Sequence, residues 1–110
     1  MMLVRASRPH VAFLGRIPGT DLLGDRERHP ENEAVPGIVV FRPEASVIYV
    51  NAEAVQEAVL AHLAALPPGD TQVVACDLSA SPYMDVSGAR MLRKLHGTLA
   101  PLGIRLAVLG

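Results

Sequence analysis

The feature that most constrains this chain is a strand–helix–strand passage that occurs twice in succession over its second two thirds. Gly37 to Arg42 (Gly-Ile-Val-Val-Phe-Arg) is a β-branched run that reads as a strand. After the turn signal Pro43-Glu44-Ala45, Ser46 to Val50 reads as a further strand, paired with its neighbour as a hairpin. Asn51 is a strong N-cap type, and Glu53 falls in the first turn, where a negative charge suits the helix dipole. Val55, Val59, His62 or Leu63, and Leu66 then follow helical spacing until Pro67-Pro68-Gly69-Asp70 stops the helix. Gln72 to Leu78 is a nearly continuous apolar strand, expected in the sheet interior. Past a loop over Ser79 to Met84, Asp85 or Ser87 caps a second helix, with Leu92, Leu95, Leu99 and Leu102 as its apolar stripe. Pro101 and Gly103 end it, and Ile104 to Leu109 is a last strand. Such an order favours an α/β sheet with parallel neighbours and right-handed crossovers.

The first third is different. His10 to Gly15 is a short apolar strand, and Ile17 to Pro36 is polar, rich in Pro, Gly and charge, without a period of 2 or 3.6. It reads as a long loop, which is unusual inside a compact domain. The chain of 110 residues suffices for one domain and not for two. We place that domain at residues 9–110, with 1–8 as a linker remnant. Half of the residues are hydrophobic, but there is no Trp and only two Phe and two Tyr, so the core must be aliphatic.

Composition also excludes functions. A formal net charge of −1 argues against a nucleic-acid partner. Cys76 is the only cysteine, so neither an intramolecular disulfide nor a cysteine-based zinc site can form. In its apolar strand it reads as a buried, inert thiol. No apolar stretch reaches the roughly 18 residues that span a bilayer, and no secretory signal is visible, so a soluble chain is expected. Gly15, Gly19 and Gly24 lack dinucleotide or Walker spacing. His10, His29, His62 and His96 lack the spacing of a ligand motif, so no metal and no cofactor are expected. No nucleophile–base pair is apparent, and an enzyme is not expected.

Three segments carry a family resemblance. The first is Arg8-Pro9-His10-Val11-Ala12 running into Leu14-Gly15-Arg16, with Pro18-Gly19-Thr20 after it. The second is Val35 to Arg42, then Val47-Ile48-Tyr49-Val50-Asn51-Ala52-Glu53. The third is Val73 to Asp77, then Met84-Asp85-Val86-Ser87-Gly88-Ala89. In this order they resemble the STAS domain that follows the membrane part of sulfate permeases, from about residue 8 onward. The third segment alone is shared with STAS domains generally, including bacterial anti-sigma-factor antagonists. Permease STAS domains carry an extended polar segment after the first strand, matched here by Arg26-Glu27-Arg28-His29-Pro30, where the antagonists have a tight hairpin.

The resemblance implies a STAS fold, a central mixed sheet with helices. The chain stops after an apolar strand with two helices in view, so a partner covers one face or the C-terminal elements of that fold are missing. It further implies a regulatory and interaction domain at the cytoplasmic face of an anion transporter, of the sulfate or bicarbonate class. The expected partner is the transmembrane domain of the same chain, and a homodimer is an added expectation. The alternative is a stand-alone antagonist-like signalling protein.

The candidate site is Asp85, Val86, Ser87 and Gly88, at a helix start whose free N–H groups suit an anion or a nucleotide phosphate. In the antagonists the residue after the Asp is a Ser that a partner kinase phosphorylates. Here it is Val86, without a hydroxyl, so that switch does not carry over. Ser87 is a substitute acceptor or, more simply, a capping hydroxyl. Arg90, Arg93 and Lys94 form a basic cluster on the same helix, read as a solvated face or as a docking surface.

Overall fold

The computed structural model describes residues 10–44, 51–81 and 85–109. The expected strand over Ser46 to Val50, the hairpin it would make, the 1–8 remnant and Met84 lie outside these residues. Five strands and two helices follow in order: β1 (Val11–Arg16), β2 (Leu23–Asp25), β3 (Ile38–Pro43), α1 (Ala52–Ala64), β4 (Val73–Asp77), α2 (Val86–Leu99) and β5 (Arg105–Leu109). The strands form one sheet in the order β2-β1-β3-β4-β5. β1 pairs antiparallel with both β2 and β3, whereas β3–β4 and β4–β5 are parallel. The sheet is therefore mixed, and β4 is an interior strand as its apolar run requires.

From β3 to β4 to β5 the chain advances one place in the same direction at each crossover. Crossovers of the same hand then put both helices on one face. That face holds the larger core: Val39, Phe41, Val74 and Cys76 from the sheet meet Ala52, Val55 and Val59 of α1 and Met91, Leu95 and Leu99 of α2. Phe41, Val55, Val59, Leu95 and Leu99 are fully buried, each contributing about 1.5–3 kcal/mol by leaving water. Val40 and Ala75, the alternate residues of β3 and β4, form a smaller cluster on the opposite face with Ala12 and Leu14 of β1, without a helical residue in it.

Three expectations need correction. The polar stretch from Ile17 to Pro36 is not a plain loop, because β2 lies inside it and extends the sheet: Leu14, Gly15 and Arg16 pair with Asp25, Gly24 and Leu23. Three residues are too few to show a period. Beyond β2 the chain returns to the strand, where the Arg16 amide donates to the Glu33 carbonyl (2.7 Å) and the Glu33 amide to the Arg16 carbonyl (2.8 Å). Gly15 permits that return, since a Cβ there would lie 2.6 Å from the Glu33 carbonyl oxygen.

Asn51 precedes α1, but its side chain makes no capping hydrogen bond. Its backbone, at φ −124° and ψ −6°, is outside the extended region that a side-chain cap uses. The stripe of α2 is Gly88, Met91, Leu95 and Leu99, with Leu92 half-buried at its edge. Leu102 is 68% exposed, because the 3₁₀ turn over Ala100–Leu102 rotates it away from the stripe. Of the two caps expected for α2, Asp85 is the one used, and Ser87 lies inside the first turn.

Candidate functional site

The start of α2 follows from the parallel sheet. β4 ends at Asp77 beside β3, whose last residue is Pro43, and the Ser81 hydroxyl donates to the Pro43 carbonyl at 3.1 Å. The loop before α2 is thereby anchored at the C-terminal ends of the parallel strands. Asp85 has the extended backbone of an N-cap, at φ −91° and ψ −172°. Its Oδ1 accepts from the Ser87 amide at 2.9 Å and the Gly88 amide at 3.1 Å, and its carbonyl accepts from the Ala89 amide at 3.2 Å. Gly88 is buried against the sheet, Asp85 and Ser87 are half-buried, and Val86 stands 67% exposed at the tip.

This cap changes what the helix end can do. The free N–H groups of a helix start attract anions. Here the chain's own carboxylate takes two of them, and it would repel a second anion at the same amides. Asp85, Val86, Ser87 and Gly88 are brought together as expected, with the donors already engaged. Arg90, Arg93 and Lys94 lie on the exposed side of α2, and among the described residues none of them is in an ion pair. The helix thus presents an apolar tip and three exposed cations.

Cys76 is buried in β4; desolvation, with Asp77 alongside, pushes its thiol up to about 12. It is no nucleophile at neutral pH. His62 of α1 stacks on Phe13 of β1, with ring centres 3.8 Å apart and planes 6° from parallel. Its pKa is lowered, first by burial and then by the Arg26 charge.

The family model of the STAS domain matches residues 29–110. The chain belongs to the STAS domain family. "Low affinity sulfate transporter 3" of Stylosanthes hamata is 32% identical over 116 residues, covering 97% of this chain and 18% of that protein. "Solute carrier family 26 member 6" of Homo sapiens is 40% identical over 53 residues, 48% of this chain and 7% of that one. Among solved structures, the murine Solute Carrier 26 family member A9 anion transporter in the inward-facing state superposes with a TM-score of 0.78 at 17% identity, covering 91% of this chain and 16% of the other. This STAS chain therefore spans less than a fifth of the length of the transporters it matches. No helix among its described residues is long and apolar enough to cross a membrane.

Sequence reasoning located the cap region correctly. It offered Asp85 or Ser87 as the cap of α2, and the structure selects Asp85. The Asp two and three residues ahead of Ser87 and Gly88 was the available signal, since that is the reach of a capping carboxylate.

Proposed function

We propose that this STAS chain is the cytoplasmic regulatory and interaction domain of a sulfate-permease-type secondary anion transporter, of the sulfate or bicarbonate class. The observation that carries the reading is the 32% identity to a sulfate transporter along 97% of the chain, including the segment that forms β2 and its return. The surface we assign to docking is the exposed Val86 tip with Arg90, Arg93 and Lys94 of α2. An apolar tip among exposed cations suits a protein surface with acidic rims, here the transmembrane domain of the same transporter chain. A shift in that packing would bias the transporter between its states.

Protein docking is favoured over an oxyanion or nucleotide held at the 85–88 turn, because Asp85 already engages the Ser87 and Gly88 amides. The test is anion flux into proteoliposomes containing the full-length transporter, with Arg90→Glu, Arg93→Glu and Lys94→Glu combined. The reading expects altered flux with unchanged thermal stability of the isolated domain. Unaltered flux at equal protein density overturns the assignment of this face.

A further inference from the structure

A second cluster lies on the sheet face opposite the helices. His10 precedes β1, Asp25 ends β2 and Glu44 follows β3, and the register brings them together. His10 lies opposite Glu44, whose amide donates to the His10 carbonyl at 3.0 Å, and Asp25 is the partner of Leu14 two rows along. One ligand atom from each of His10, Asp25 and Glu44 lies within 4.8 Å of the others.

Asp25 is the unusual member. Its side chain is only 6% exposed. Oδ1 caps the following turn, accepting from the Glu27 amide at 2.8 Å and the Arg28 amide at 3.5 Å. Oδ2 is buried and accepts no hydrogen bond from the described residues. Among the described residues the nearest cationic atoms are His10 Nε2 at 3.6 Å and Arg28 Nε at 3.8 Å, both beyond hydrogen-bond reach. Burial alone would raise the carboxyl, but the Glu27 and Arg28 amides and His10 outweigh it and hold it below its ordinary 3.8. A buried, charged oxygen without a donor costs free energy unless something occupies the space before it.

We propose that His10 Nε2, Asp25 Oδ2 and the Glu44 carboxylate bind a divalent transition-metal ion, with Zn²⁺ the best-fitting class. One imidazole and two carboxylates make a borderline donor set suited to zinc. Two ligands at about 2.1 Å from a tetrahedral zinc stand about 3.4 Å apart. The His10–Asp25 separation of 3.6 Å is already close to that edge. Glu44 must close in by roughly an ångström, and solvent fills the remaining position.

Two arginines attend the cluster. Arg42 Nε donates to Glu44 Oε2 at 3.1 Å, and Arg28 is 72% exposed and free to swing out as the ion enters. The ion would cross-link the start of β1, the end of β2 and the end of β3. Pro43, beside Glu44, also accepts the hydrogen bond from Ser81, so the site stands at the same end of the sheet as the loop before α2.

The test is calorimetric titration of the 110-residue chain with ZnCl₂, with a thermal melt read alongside. The expected result is one saturable equivalent, a rise in Tm, and a loss of affinity of about tenfold or more in His10→Ala and in Glu44→Gln. Asp25→Asn keeps an oxygen for the turn cap and is expected to fold and to lose the ion. His29→Ala, at the separate exposed pair of His29 and Glu31, should bind as wild type. Absence of saturable binding below about 1 mM overturns the proposal. So does wild-type affinity in His10→Ala, which would place the ion elsewhere.

Discussion

Replacing Asp85 by Ala separates two roles that the start of α2 might serve. The carboxylate accepts from the Ser87 amide at 2.9 Å and the Gly88 amide at 3.1 Å. Loss of an N-cap side chain costs about 0.5–2 kcal/mol, and a half-buried cap belongs near the middle of that range, about 1 kcal/mol. For a domain of this size the fall in Tm is about 4–5 °C. Asp85→Asn keeps the acceptor and loses only the charge–dipole attraction, worth about 0.3–1 kcal/mol, so it should cost less than Asp85→Ala. Urea unfolding followed by circular dichroism, supported by melts, measures both. The same substitution frees two amides and removes a negative charge, so Asp85→Ala should bind oxyanions more tightly than the wild type. Sulfate titration, read as the difference in Tm between the two proteins, isolates this from the general stabilisation by sulfate. The reasoning is refuted if Asp85→Ala unfolds within about 0.3 kcal/mol of wild type, or if the wild type binds sulfate more tightly than the variant.

Other outcomes follow from burial. Leu95→Ala, in the core between α2 and the sheet, should cost about 3 kcal/mol, whereas Leu102→Ala on the exposed turn should cost under about 0.5 kcal/mol in the same urea assay. Cys76, with its thiol pushed up to about 12, should resist a disulfide reagent at pH 8 and react stoichiometrically once urea unfolds the chain; rapid labelling of the native protein would contradict its burial. The His62 pKa is lowered from 6.5 by burial and then by Arg26, so the unfolded chain binds more protons between the two values. The stability linked to this group is full above about pH 6.5 and is lost as pH falls through the folded pKa, and His62→Gln should remove that part of the pH dependence of the urea midpoint.

Much of the architecture could be read from residues with local physical roles. Pro67 to Asp70 stops α1, the apolar run over Gln72 to Leu78 marks an interior strand, and Asp85 announces α2. What escaped detection depended on tertiary pairing. β2 is three residues long and exists because β1 offers an edge, so no window of Leu23-Gly24-Asp25 reveals it. Asn51 has a capping side chain in a backbone geometry that does not use it. Leu102 matched the helical period and was turned outward by the 3₁₀ turn beginning at Ala100. His10, Asp25 and Glu44 are distant in sequence and meet only through the antiparallel register, which spacing rules for metal motifs cannot express.

The central claim, that the α2 face docks on the membrane part of a transporter, has a direct test. Cys76 is buried and can stay, so Val86→Cys, at a site 67% exposed, in a full-length chain whose other accessible cysteines have been replaced, offers one reactive thiol for a photo-crosslinker. The full reading frame would be expressed in cells, labelled at that position in isolated membranes, illuminated and mapped by mass spectrometry. The account predicts crosslinks from residue 86 to the transmembrane domain of the same transporter. Crosslinks confined to a soluble signalling partner, with none to a membrane domain, would contradict it.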